Sequence, residues 1–302
     1  MMAEYDWNLV DTVRPVSKRR PVLLYDETLR DGIQSPSVID PTINEKLEIL
    51  HLMAELGIDC VDIGLPGAGP RAVADVTRLA REIVDARLPL KASCAARTHT
   101  SDIRPVIEIS QAVGIEIEVM AFLGSSPIRQ LAEGWDVDRL LRLSGDAITL
   151  AHQNGLPATF VTEDTVRSRP ETLSVLFRNA IACGAHRLCL CDTVGHATPD
   201  GAVALVRFAQ SVIDGVGMTG QVRLDWHGHN DRGLSLPNAL SALEAGADRI
   251  HGTALGIGER VGNTPMEQLL VNLKLLGERD LDLSRLQDYR ELVGRATGQR
   301  VM

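Results

Sequence analysis

The sequence predicts an α/β fold, a (β/α)8 TIM barrel, from three observations. Short apolar runs alternate with helix-period segments along most of the chain. The runs tend to be apolar on both faces, as strands covered by helices must be. Eight of them can be placed, near 22–26, 60–64, 89–94, 115–121, 157–162, 187–191, 222–226 and 249–254. A closed barrel needs eight strand–helix units and about 250 residues, and the chain has 302. No Gly-x-Gly-x-x-Gly follows the first run, which argues against an open dinucleotide-binding sheet. The expected organisation is an N-terminal arm over 1–21, a barrel domain over 22–280 and a helical tail over 281–302, where a lid subdomain would begin.

The helices between the runs carry their own punctuation. Asp40-Pro41, Arg169-Pro170, Thr198-Pro199 and Thr264-Pro265 each put proline at a first helical turn, where the missing N–H costs nothing. Gly57, Gly114, Gly155, Gly184 and Gly246 stand between a helical stretch and the next run, where a left-handed stop is needed. In the first helix Ile43, Leu47, Leu50 and Ala54 recur at three-to-four spacing and predict one buried stripe.

Charge narrows the function classes. A formal net charge of −9 argues against a nucleic-acid binder, which needs a basic face. Lys18-Arg-Arg20 is the densest basic run and reads as part of a solvated arm. No apolar stretch reaches the ~18 residues of a membrane span, and the acidic start, Glu4 and Asp6, does not look like a signal peptide. The five cysteines form no metal-finger spacing; Cys60, Cys94, Cys189 and Cys191 sit in apolar runs like buried free thiols, which fits a soluble protein of the reducing cytoplasm.

In a barrel of this kind the site is built from the loops after the strands. Reactive residues gather there: Arg30-Asp31 after strand 1, Asp62 after strand 2, Arg97-Thr-His99 after strand 3 and Arg129 after strand 4. Strand 5 leads to Glu163, strand 6 to Asp192-Thr-Val-Gly195, strand 7 to His227-Gly-His-Asn-Asp231 and strand 8 to Gly256 through Asn263. Residues two apart in a strand share a face, so His227 and His229 can reach one ion; the alternative is a pair in ordinary polar contacts at the barrel mouth. Closure makes strands 7, 8 and 1 neighbours, which brings Asp31 and Asn263 to the same rim. Two imidazoles, one carboxylate and one amide oxygen suit Mg²⁺, Mn²⁺ or Zn²⁺, with two positions left for a chelating substrate.

These residues resemble the DRE-TIM metallolyases, the barrel family of 2-isopropylmalate, homocitrate and citramalate synthases related to 3-hydroxy-3-methylglutaryl-CoA lyase. The resemblance rests on Asp26-x-Thr-Leu-Arg-Asp-Gly-x-Gln34, Glu163-Asp-Thr-x-Arg167, Asp192-Thr-Val-Gly195, His227-x-His-Asn-Asp231 and Gly256-x-Gly-Glu-Arg-x-Gly-Asn263, in family order. It implies metal ligation by Asp31, His227, His229 and Asn263, catalysis by Arg30 with Glu163 as a proton-transfer candidate, and substrate contacts from Gln34, Thr193 and Arg129. The implied reaction is a divalent-metal-dependent condensation of an acyl-CoA with a 2-oxoacid, in a homodimer or with a partner subunit that supplies a lid. A carbon–carbon lyase or aldolase, or a non-enzymatic metal-binding barrel, are the other readings. The lyases carry a cysteine in the strand 8 loop, and 256–263 has none. Arg129 stands where homocitrate synthases read a distal carboxylate, which points to a dicarboxylic acceptor. Ile33 and Asp62 replace residues that are Glu in the synthases, and Tyr289, the one tyrosine of the tail, reads as a packing residue.

Overall fold

Strands β1 Leu23–Asp26, β2 Cys60–Asp62, β3 Lys91–Arg97, β4 Ile117–Gly124, β5 Ala158–Glu163, β6 Arg187–Asp192, β7 Arg223–Gly228 and β8 Arg249–Gly252 close a parallel barrel in chain order. They come from a computed structural model that describes residues 21–301, so Lys18-Arg-Arg20 and most of the expected arm lie outside the described residues. The seam between first and last strands runs from Leu23 opposite Arg249 to Asp26 opposite Gly252. Around the sheet lie α1 Ile43–Glu55, α2 Pro70–Asp85, α3 Thr100–Val113, α4 Pro127–Glu133, α5 Val137–Gln153, α6 Pro170–Ala182, α7 Pro199–Gly215, α8 Ser235–Ala245, α9 Met266–Leu275 and α10 Leu286–Thr297. No helix among the described residues is long and apolar enough to cross a membrane.

The expected stops hold: all five glycines have left-handed φ, from 75° to 114°. The expected proline starts hold for α6 and α7, but Thr42 caps α1 through a reciprocal bond with Glu45, and Pro265 is the cap residue of α9. The buried stripe of α1 is also displaced. Ile49, Leu50 and Met53 are fully buried with Lys46, while Ile43, Leu47 and Ala54 pack at its margin. The Lys46 stem is buried and its ammonium reaches Asp40 and Asp75, at 2.8 and 2.9 Å, so a charged residue occupies an apolar position.

The core is the shell between sheet and helices, where residues such as Leu24, Val61, Val119, Phe160, Leu190, Trp226 and Ile250 are buried. Side chains at alternate strand positions fill the barrel, and here the expectation of strands apolar on both faces fails. The interior holds a small apolar group of Tyr25, Cys60 and Met120 and, below it, buried ion pairs. Arg249 pairs with Glu118 and Asp225, each at 2.6 Å, and Arg187 pairs with Asp225 at 2.9 Å. Each buried charge has a partner of opposite sign, which is what makes its burial tolerable.

Tyr289 of α10 is fully buried, and its hydroxyl hydrogen-bonds Asp26 and, at 3.2 Å, Thr28. It ties α10 to the end of β1.

Candidate active site

Behind β1 the chain enters a wide five-residue turn, Thr28–Gly32, that throws Arg30 and Asp31 over the barrel mouth. The backbone of Gly32 lies so close to Ile257 that a Cβ there would come within 2.9 Å of its side chain. On the far side of the seam, the backbone of His229 pairs with that of Asn263, and the Asn230 N–H donates to Gly262 O at 2.9 Å. Gly262 is obligatory: at φ 92° its absent Cβ would collide with Gly256 O.

These turns bring together Asp31, His227 and His229, all buried, with one potential ligand atom from each lying within 4.8 Å of the others. Asp31 Oδ2 is 3.8 Å from His227 Nε2 and 3.7 Å from His229 Nε2. Asn263 lies beside them, but its amide nitrogen faces inward and donates to Asp31 Oδ2 at 2.8 Å. Its Oδ1 is buried without a hydrogen-bond partner among the described residues, as is His229 Nδ1. A half-turn of the amide would exchange its two atoms, so Asn263 can join a ligand set. The group fits a divalent cation: imidazoles and hard oxygens converge, and Glu27, Asp31 and Asp62 surround the single guanidinium of Arg30.

Arg30 is gripped on three sides. Its Nε–H donates to Asp62 at 2.8 Å, Nη1–H to Asp31 at 3.0 Å and Nη2–H to Glu27 at 2.7 Å. The shorter Asp62 therefore reaches Arg30 despite its missing methylene. Gln34 Oε1 lies 3.5 Å from Nη1 on the exposed side.

Electrostatics differentiates the two histidines. Burial works against a charged His227, but the charge and hydrogen bond of Glu27 outweigh it and push the imidazole up to about 10. Burial and the neighbouring His227 push His229 down to about 4. Burial alone would raise Asp31, yet Arg30 and His227 hold it below the usual carboxylate range. The neutral form that can offer a lone pair is thus favoured at His229 and opposed at His227.

A cavity of about 210 Å³ opens onto this cluster. Arg30, Asp31, Gln34, Glu163, Thr193, His227 and His229 of the expected set line it. Thr193 Oγ1 accepts the Asp164 N–H at 2.8 Å, which leaves its hydroxyl proton to donate. Burial raises the Glu163 carboxyl, and Arg129 offsets this only in part.

Arg129 does not line the cavity. It lies 3.3 Å from Glu163 and 3.4 Å from Glu133, and its buried Nε makes no hydrogen bond among the described residues. Ile33 borders a neighbouring hollow rather than the cavity beside Asp31, His227 and His229. Other loop residues are scaffolding: Arg97 pairs with Asp102, His99 caps α3, Arg167 pairs with Asp164, and Asp192 accepts the N–H groups of His196 and Ala197. Residue-by-residue reading missed Glu27 and His251, which face the cavity beside His227. Strand alternation from Tyr25 was the available signal for Glu27.

The HMGL-like family model matches residues 21–293. A 2-isopropylmalate synthase of Heliobacterium modesticaldum is 36% identical over 293 residues, covering 95% of this chain and 55% of that protein. The homocitrate synthase AksA of Methanopyrus kandleri is 33% identical over 268 residues, covering 88% of this chain and 63% of that one. The chain thus spans little more than half the length of the synthases it matches. Among solved structures, an HMG-CoA lyase of Bacillus subtilis superposes with a TM-score of 0.74 at 19% identity, over 94% of this chain and 96% of that chain. That likeness is one of fold.

Proposed function

The chain belongs to the HMGL-like family, and from that premise we propose that it condenses an acyl-CoA, acetyl-CoA being the simplest, with a 2-oxoacid at a divalent cation. The observation that carries this reading is the convergence of Asp31, His227 and His229 beside Arg30 at the floor of one cavity. Asp31, His227 and His229 would hold Mg²⁺, Mn²⁺ or Zn²⁺, with Asn263 as a further oxygen donor. A cation there supplies Lewis acidity toward the keto group of a 2-oxoacid.

The chain's own residues do the rest. Arg30, fixed by three carboxylates, presents a guanidinium to the oxygen that gains charge as the new bond forms. Thr193 donates its hydroxyl to the substrate carboxylate, and Gln34 closes the polar rim. Glu163, with its raised carboxyl, accepts a proton from the carbon next to the thioester carbonyl. That carbon bonds to the keto carbon, whose oxygen takes up the proton held by Glu163, and water then adds to the thioester carbonyl and displaces the CoA thiol, leaving a carboxylate.

The acceptor is the point on which the reading departs from expectation. Arg129 faces Glu163 and Glu133 and is not among the residues that line the cavity. The apolar side chains in the cavity lining include Ala95, Met120, Phe122 and Val161, which favours a 2-oxoacid with a short apolar tail. The same reading takes the protein as a cytoplasmic homodimer or as a subunit whose partner supplies a lid.

Thiol release should be measured after mixing acetyl-CoA with 2-oxoacids of branched, small and dicarboxylic type, in chelator-treated protein resupplied with each metal. Release is expected with an apolar acceptor and only with metal. Metal-independent release, or none with any acceptor, overturns the proposal.

A further inference from the structure

Glu27 is the deepest carboxylate of the cavity, 3% exposed, and both its oxygens are engaged. Oε2 accepts from His227 Nδ1 at 2.6 Å and lies 3.3 Å from His251 Nδ1; Oε1 accepts from Arg30 Nη2 at 2.7 Å. One side chain therefore grips both an expected metal ligand and the expected catalytic guanidinium. The two histidines of the cluster differ in this respect. His229 Nδ1 is buried with no hydrogen-bond partner among the described residues, so no hydrogen bond at that nitrogen orients the ring. His227 has its Nδ1 proton committed to Glu27, which leaves Nε2, on the Asp31 side, as the nitrogen with a lone pair to offer.

We propose that Glu27 is a positioning residue that locks His227 as an Nε2 donor and couples that ligand to Arg30. The inference rests on the reading that Asp31, His227 and His229 hold a divalent cation. A carboxylate behind a ligating imidazole fixes ring orientation and raises donor strength, and its loss costs about 10–100-fold in metal affinity. His251 and Asp225 extend the arrangement inward, His251 Nε2 lying 3.3 Å from Asp225, so that Glu27 is itself braced against the ion pairs of the barrel interior.

The test is calorimetric titration of Mn²⁺ into the full, chelator-stripped chain and its Glu27→Gln and Glu27→Asp variants. Glu27→Gln, lowered in melting temperature by the loss of a buried charge partner but folded by circular dichroism, should bind Mn²⁺ about 10–100-fold more weakly, and Glu27→Asp, which keeps the charge, should recover part of that loss. Wild-type affinity in a folded Glu27→Gln overturns the proposal while leaving the cation site standing. Failure of the wild-type chain to bind Mn²⁺ overturns both. Nitrogen NMR of the ¹¹³Cd-loaded wild-type chain keeps the proposal falsifiable if the variants do not fold: cadmium coupling is expected at His227 Nε2, and coupling at Nδ1 overturns it.

Discussion

Arg30 shows what a strand end can do with one residue. Its three carboxylate partners leave it 18% exposed toward the substrate space, aimed and still charged. Glu27, Asp31 and Asp62 are all strongly influenced by it, and Asp62, raised to about 6 by burial, depends on it to stay ionised. Arg30→Gln should therefore lower kcat about 10²–10³-fold, the cost of removing one donor aimed at developing charge, with a smaller change in KM for the 2-oxoacid. Steady-state thiol-release kinetics check this; an unchanged kcat removes Arg30 from the catalytic role. At this scale the sequence was legible wherever strand period and barrel closure acted together, as for Asp31, His227 and His229. It did not reveal the surroundings of Arg129, because nothing local places Glu163 and Glu133 beside it. Glu27 escaped because a single inward carboxylate carries no spacing pattern.

Among the elements, the loop after β8 organises the mouth. Arg260, itself at a positive φ of 57°, donates to Asp231 at 2.7 and 3.0 Å and to Thr193 O at 2.6 Å. It thus ties the loops after β6, β7 and β8 together, one of them carrying the hydroxyl assigned to the substrate carboxylate and another Asn263. Arg260→Ala should raise KM for the 2-oxoacid several-fold while leaving the melting temperature within about 1 °C, because an exposed ion pair contributes only about 0–1 kcal/mol to stability. A thermal scan and a substrate-dependence curve separate the two effects; an unchanged KM removes Arg260 from loop positioning. Element existence was readable from periodicity and glycine stops, whereas exact helix starts were not. A proline two residues early, as at Pro41, and a proline at the cap, as at Pro265, are indistinguishable in sequence from one inside the first turn.

For the whole molecule, the feature that composition concealed is the ionic interior. The strands read as apolar because their outer faces are, while Glu118, Asp225, Arg187 and Arg249 are spread over four distant segments. Burial opposes an ionised Glu118, but the Arg249 charge and hydrogen bonds outweigh it and hold the carboxyl down at about 2. Its folded value lies below its unfolded value of about 4.5, so its contribution is fully present above pH ~4.5 and is lost as pH falls toward 2. Asp26, raised to about 6 mainly by burial, runs the other way between pH ~6 and ~4. Glu118→Gln should cost about 3–5 kcal/mol at neutral pH, since it strands part of a buried pair, and should flatten the stability profile below pH 4.5. Urea unfolding at a series of pH values measures both, and an unaltered slope there would exclude Glu118 as a source of acid lability. The β1–β8 seam has a further consequence during synthesis. Asp31 emerges early, whereas Asn263, whose amide it accepts from in the fold, follows 232 residues later. The constellation is therefore complete only once the last strand and its loop have been made, and a cation held by Asp31, His227 and His229 would act as a clasp across the joint between the first and last strands.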